Sequence, residues 1–171
     1  MISIIQATLN DSNLLTNLGK TTFLEAHGKS ASEKNINTYI SKKFTNKAFE
    51  EELKDTNNIF YIIYLDEAVV GYSKIIFNSK HPNIRFENVT KLERLYILQE
   101  FHGLKLGLEL FKYNLNLSIK NNQKGMWLFV WTENHKAINF YKRTGFEIIG
   151  HYDFEITPTH SNPNHQMLLT F

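Results

Sequence analysis

The chain of 171 residues contains no cysteine. Disulfides, thiolate metal sites and a cysteine nucleophile are therefore excluded. No apolar run approaches the roughly 18 residues of a membrane span, and the first residues lack the basic-then-apolar order of a signal peptide. A cytoplasmic protein with no membrane partner is the expectation. Charge of one sign is also scarce. Nineteen Lys and Arg against 17 Asp and Glu leave a formal net charge of +2. The cations are spread along the chain, with no basic block, which argues against nucleic acid as a partner. His27, His81, His102, His135, His151, His160 and His165 are scattered without the i, i+4 pairing of a helical zinc motif, so no metal is expected. Neither a G-x-S-x-G elbow nor a Walker loop is present. No linker, repeat or low-complexity segment interrupts the sequence.

What is there is a globular composition, 42% hydrophobic and 13% aromatic. The length suits one domain, residues 1–171, with a full core. "MISIIQAT" reads as a short strand, after which Asn10, Asp11 and Ser12 offer helix caps. Residues from about 11 to 55 read as helices. Leu14, Leu15, Leu18 and Phe23 form the first apolar stripe, which Gly28 interrupts. Ile36, Tyr39, Ile40 and Phe44 form the second, behind a cap at Ser30 or Ser32, and Phe49 and Leu53 belong to a short third. Then the period changes. "NIFYIIYLDEAVVGYSKIIF" gives two β-rich runs around Asp66-Glu67, a hairpin. "HPNIRFENV" reads as a loop, "TKLERLYIL" and "MWLFVW" as strands, and the segment from about 106 to 120 between them as a helix. "NHKAINFYKRTGF" is a helix capped by Asn134 and stopped by Gly145. "FEIIGHYDFEI" and "HQMLLTF" are the last strands. This order predicts one mixed α/β domain with strand–helix–strand units in its second half. A ligand site is expected at the carboxyl ends of the strands, after Leu98 and after Trp131.

One stretch, "YILQEFHGLKLGLELFK" at residues 96–112, combines these features. A strand runs into Gly103, and a helix then carries Leu104, Leu108, Phe111 and Leu115. Gly107 sits near its start, where a glycine costs about 1 kcal/mol relative to alanine. Such a glycine lets the backbone approach a ligand closely, and the unpartnered N–H groups of a helix start bind phosphates. The same residues also fit a plain strand-to-helix connection.

Taken together, "LERLYILQEFHGLKLGLELF", "MWLFVWTENHKAINFYKRTGFEIIG" and the strand order resemble the GNAT superfamily, the GCN5-related N-acetyltransferases. The more specific segment is the second: a strand, Asn134, then A-I-N-F-Y-K-R-T-G-F. In the first, the family pattern Q/R-x-x-G-x-G/A places Gly107 at its last position. His102 stands where the family has Gln or Arg, and Lys105 replaces the first glycine. The helical N-terminus and "KLERLYIL…WLFVWTEN" are most similar to the bacterial spermidine/spermine-type members.

The resemblance implies a single-domain α/β fold with a mixed, mostly antiparallel sheet of about seven strands flanked by helices. It implies an acetyl-CoA-dependent N-acetyltransferase. The acceptor would be the primary amine of a small molecule such as a polyamine, attacking directly in a ternary complex, on a monomer or homodimer. Two alternatives stand beside it: an acetyltransferase for protein or peptide amines, and a non-catalytic acyl-CoA-binding regulatory module, which the altered loop favours. Acetyl-CoA is placed along Leu95, Tyr96 and Ile97, facing the strand Met126–Trp131. Its pyrophosphate lies at His102, Gly103, Leu104, Lys105, Leu106 and Gly107, where Lys105 either obstructs the cradle or supplies charge to a phosphate. Asn134 caps a helix and contacts the cofactor near the pantetheine.

The chemistry asks for three things. The amine must lose a proton, the oxyanion needs a donor, and the departing thiolate benefits from an acid. By resemblance Tyr141 is that acid, and it is equally a core residue by its helix face. A backbone N–H near Ile97 is the oxyanion donor. Glu93 is the candidate base, directly or through water, with Glu133 as a rival. Trp127 and Trp131 share one face of their strand; Trp127 is expected in the core and Trp131 at the acceptor pocket. Carboxylates for a cationic acceptor are Glu25, Glu93, Asp153 and Glu155, by chain position.

Overall fold

The hairpin expected around Asp66-Glu67 lies within a longer sheet. Strands β2 (Ile59–Leu65) and β3 (Ala68–Ile76) pair with Leu65 opposite Ala68. Asp66 takes φ 54°, the left-handed conformation that so short a turn requires. The computed structural model describes residues 1–171 and adds β1 (Ile2–Gln6), β4 (Val89–Ile97), β5 (Gly125–Trp131), β6 (Glu147–Thr157) and β7 (His160–Thr170). Their order across the sheet is β1-β2-β3-β4-β5-β7-β6, and β4 with β5 is the one parallel pair. This is the mixed, mostly antiparallel seven-stranded sheet that the resemblance implied.

Period-2 alternation sends neighbouring side chains of each strand to opposite faces, and helices cover both. One face packs under α1 (Ser12–His27), α2 (Glu33–Lys43) and α3 (Asn46–Lys54). There Leu15, Phe23, Ile36 and Phe49 meet Phe60, Ile62 and Tyr72 of the sheet. The other face packs under α4 (Leu106–Lys120) and α5 (His135–Arg143). Here Leu106, Leu110, Phe111 and Ile138 meet Ile63, Val70, Leu92, Leu128 and Val130. Burying each such side chain contributes about 1.5–3 kcal/mol. Of the two serines offered by the sequence, Ser32 caps α2 by accepting from the Asn35 N–H at 3.3 Å. Thr45 caps α3 in the same way, at 3.1 Å from the Ala48 nitrogen. No helix is long and apolar enough to cross a membrane.

The last strand differs from the sequence expectation. "THSNPN" looks like a loop, yet β7 begins at His160 and carries Pro163 opposite Asp153. The proline is tolerated because β5 stops at Trp131 opposite Asn164, so nothing on that side asks Pro163 for an N–H. The hairpin tip is held from outside. Asn162 Nδ2 donates to Ser30 Oγ at 2.7 Å, which ties the tip to the α1–α2 connection.

Two irregularities open the sheet. β4 and β5 pair only from Val89↔Gly125 to Lys91↔Trp127 and then diverge. Across β3, Lys74 faces Arg94 while Ile75 faces Leu92, so Glu93 is the extra residue of a bulge. A bulge bends its strand and re-aims the side chain it carries. On β3, Gly71 is needed for packing: a Cβ there would stand 2.3 Å from the Tyr96 carbonyl oxygen.

Candidate active site

The divergence of β4 from β5 leaves a cleft of about 1430 Å³ reaching both helical layers. On the α4 side it meets a row of free donors. The N–H groups of Gly103, Leu104, Lys105, Leu106 and Gly107 have no acceptor in the protein; the first helical bonds come from Leu108 and Glu109 to the Lys105 carbonyl. Gly103 at φ 89° and Lys105 at φ 60° give the loop its shape. The second value explains in physical terms why the family has glycine where this chain has Lys105: the position is left-handed. Lys105 therefore leaves the turn intact and brings a charge to it. Gly107 contrasts with Gly71. A Cβ on it would meet only the Ile97 side chain, at an ordinary 3.6 Å. The protein's own packing does not require glycine there, whereas a phosphate lying against the helix start does. The residues present thus fit the diphosphate of a coenzyme A.

His102 does not belong to that row. Its N–H donates to the Gln99 carbonyl at 3.1 Å. Its Nε2–H donates to the Ile97 carbonyl at 2.8 Å, and Nδ1 lies 2.7 Å from Lys136 Nζ, which donates to it. Both nitrogens are occupied, and the ring, which also lines the cleft, bridges the end of β4 to the start of α5. In doing so it holds Lys136 beside the cradle, a cation that sequence reasoning missed. Leu104 offers only its N–H, because its side chain is 55% exposed and outside the cleft. Leu95 and Ile97 line the cleft and pack against the α4–α5 core.

Asn134 accepts from the Ala137 N–H at 3.2 Å and so starts α5 at the open end of β5. Two turns on, Tyr141 faces the cleft. Its ring packs on Phe140 and Phe146, with centroids 5.3 and 5.4 Å away. Burial pushes the phenol well above its ordinary pKa, so it keeps its proton at neutral and alkaline pH. Its ring belongs to the core, and its hydroxyl reaches the cleft without a protein hydrogen bond.

On the α1–α3 side the cleft is made of ions and rings. Glu52 accepts from Lys74 Nζ at 2.8 Å and from Arg94 Nη2 at 2.9 Å. Glu93 pairs with Lys74 and, at 3.1 Å, with Lys91. Burial alone would raise the Glu93 pKa, but Lys74, Lys91 and Arg94 outweigh it and hold the carboxylate at about 2. So acidic a group is a poor direct base, and the ion pairs leave only the water-relayed form of the sequence expectation. Glu133 is exposed, about 4.0 Å from His135, and lies outside the cleft lining. Glu25 caps the turn after β4 by accepting from the Gln99 N–H at 2.9 Å. Asp153 does not line the cleft, and Glu155 stands exposed on its rim.

The rings are the part the sequence hid. His27, in the last turn of α1, reaches across the mouth of the divergence. Its Nε2 lies 3.3 Å from the Tyr96 hydroxyl on β4, and its ring centroid lies 6.0 Å from that of Trp131 on β5. Burial pushes the imidazole down to about 4. Trp131 lines the cleft, as expected, while Trp127 is 3% exposed and donates its indole N–H to the Ser79 carbonyl. A lone histidine near residue 27 carries no local signal; only the sheet brings it to Tyr96, 69 positions away.

The fold and its cleft define an acyltransferase of the kind the resemblance implied. The model described as the Acetyltransferase (GNAT) family matches residues 24–146, and the chain belongs to that family. It is accordingly an N-acetyltransferase that uses acetyl-CoA. An uncharacterised N-acetyltransferase of Lactobacillus delbrueckii subsp. lactis is 25% identical over 84% of this chain and 83% of its own. The PaiA N-acetyltransferase of Thermoplasma acidophilum, solved in complex with coenzyme A, shares the fold. Its TM-score is 0.78 at 19% identity, over 100% of this chain and 99% of the other. So does the ribosomal-protein-S18-alanine N-acetyltransferase of Escherichia coli, with a TM-score of 0.67 at 15% identity over 99% and 94%.

Proposed function

We propose that the protein transfers the acetyl group of acetyl-CoA to the primary amine of a small molecule by direct attack in a ternary complex, with Tyr141 as general acid. The observation that carries this reading is the Tyr141 hydroxyl, which reaches the cleft at the divergence of β4 and β5 without a protein partner; burial raises its pKa and favours the protonated form. The diphosphate lies on the N–H groups of residues 103–107, with Lys105 and Lys136 beside it. The thioester carbonyl faces the Ile97 N–H. Leu98 donates across to the Val70 carbonyl of β3, so strand alternation turns the neighbouring Ile97 N–H toward the cleft. The neutral amine attacks the carbonyl carbon. Its surplus proton passes to water ordered by the ionised Glu93. As the intermediate collapses, the carbon–sulfur bond breaks and Tyr141 protonates the sulfur.

The polyamine acceptors of the spermidine/spermine-type members fall within this small-amine reading. A peptide amine is the second reading, supported by the open cleft and by the E. coli neighbour, whose name gives a ribosomal-protein alanine as its acceptor. A thermal-shift titration with CoA and acetyl-CoA, followed by an amine and peptide panel read by thiol release, tests the proposal. Stabilisation by both cofactors and turnover of a small amine are expected. A protein that CoA stabilises but that acetylates no amine in the panel would sink the proposal and favour a binding module.

A further inference from the structure

Resting on the small-amine reading, we propose that the acceptor is a monoamine carried on an aromatic body. Its ring would sit among His27, Tyr96, Trp131 and the Phe129–Tyr152 pair. Two independent features of the cleft lead there.

The first is the wall. Phe129 and Tyr152 stack with centroids 4.3 Å apart and planes 16° from parallel. His27 stands edge-on to Tyr96 at 86°, with centroids 6.3 Å apart. These rings come from α1, β4, β5 and β6, all line the cleft, and none is fully buried. They are therefore not consumed by the core as Phe23 and Phe44 are, at 4% and 7% exposure. The Trp131 indole N–H has no protein acceptor, in contrast to that of Trp127. Aromatic faces and edges set at these angles favour another planar ring over a flexible chain, because offset and edge-to-face contacts add to plain area burial.

The second is the charge. A polyamine brings two or more ammonium groups, and each one that leaves water needs a carboxylate or similar acceptor. The carboxylates of this cleft are already engaged. Glu52 holds Lys74 and Arg94, Glu93 holds Lys74 and Lys91, and Glu25 holds the Gln99 N–H. Glu155 at the rim is the one left without a partner. The lattice itself sets three cations, Lys74, Lys91 and Arg94, against two carboxylates, Glu52 and Glu93, so its net charge is positive. That field repels a second ammonium. It also favours the neutral form of the single amine that must attack. His27, kept neutral by burial, adds no opposing charge.

The test uses the full-length protein with acetyl-CoA and four acceptors: tryptamine, phenethylamine, spermidine and a lysine-containing peptide. Thiol release gives kcat/KM, and calorimetry on the CoA-saturated protein gives binding of tryptamine and spermidine without turnover. The aryl amines should exceed spermidine by about tenfold or more in kcat/KM, a ratio that two or three added ring contacts supply. Trp131→Ala should erase most of that advantage while leaving CoA affinity unchanged. If that variant fails to fold, Tyr152→Ala, at an exposed position, replaces it. Spermidine or the peptide as the better acceptor, or no binding of tryptamine to the CoA-loaded protein, overturns the proposal. Tryptamine that binds in preference to spermidine but is not acetylated leaves the acceptor site standing and overturns the reading of the chemistry instead.

Discussion

The two arms of the cleft are built from different materials. The arm proposed for the cofactor is backbone: five consecutive N–H groups, two left-handed residues and one glycine that the protein does not need for itself. The arm proposed for the acceptor is side chain: five charged groups and a ring of aromatics drawn from α1, α3 and four strands. The difference matters for change. A backbone site tolerates substitution as long as the turn survives, which is why Lys105 can stand in the place of a glycine. A side-chain site changes its ligand with each residue. Diphosphate recognition is therefore expected to be robust in this protein and acceptor choice to be specific to it.

Tyr141 lies where the arms meet, and the largest effect is expected there. Tyr141→Phe keeps the ring against Phe140 and Phe146 and removes only the proton donor. The loss should be about 10²- to 10⁴-fold in kcat, with CoA affinity nearly unchanged. Stopped-flow or steady-state rates under conditions where chemistry limits will decide it. A folded variant with wild-type kcat removes Tyr141 from the mechanism.

The acceptor arm should also be the acid-sensitive one. An unfolded histidine titrates near 6.5, whereas His27 in the folded protein stays neutral down to about 4. Between these values the unfolded chain binds a proton that the native state does not. The stability contributed by His27 is thus complete above pH 6.5 and is lost as the pH falls toward 4, by about 2–3 kcal/mol. Denaturant titrations of wild type and His27→Gln across this window should converge as the pH drops. Glu93, held at about 2, contributes stability that is lost only from about pH 4.5 downward, so the two windows are separable. Parallel stability curves for the two proteins would mean that His27 is not buried as described.

In the cofactor arm, Gly107→Leu should dissociate folding from binding. Its Cβ would meet only Ile97, and leucine is the better helix former, so the melting temperature should hold or rise. The CoA dissociation constant should rise about tenfold, the equivalent of losing one charge-assisted hydrogen bond at the phosphate. Unchanged affinity in calorimetry would move the diphosphate elsewhere.

The same contrast explains what the sequence allowed. The elements were legible because each depends on neighbours along the chain: the Asp66-Glu67 turn, the Ser32 cap, the helix start at Gly107. The loop before α4 and the place of Tyr141 on the helix after β5 were legible for the same reason, since a motif is local by nature. β7 was not, because Pro163 reads as a breaker until the end of β5 shows that its missing N–H is not wanted there. His27 and Glu52 were not, because their partners Tyr96 and Arg94 lie 69 and 42 positions away. Glu93 was found, but not the ion pairs that surround it. A carboxylate on a strand reveals nothing of the two lysines that hold it ionised, one of them on a different strand.

The smallest effect sits at Lys105, where backbone and side chain can be separated within one residue. The left-handed conformation of a non-glycine residue costs about 1 kcal/mol, and the ammonium near a phosphate contributes on the order of 1 kcal/mol, screened by salt. Lys105→Ala keeps the strained backbone and loses the charge. Lys105→Gly releases the strain and loses the same charge, though the freer unfolded chain offsets part of the gain. Both should therefore weaken CoA binding by a similar factor of about five, more at low ionic strength than at high. Only the glycine variant should match or exceed the wild-type melting temperature. If the alanine variant binds CoA less tightly than the glycine variant at every salt concentration, then the shape of the turn governs affinity and the charge does not. That outcome would make the cofactor arm wholly a backbone site. Equal and salt-dependent losses would place one side-chain contribution within it.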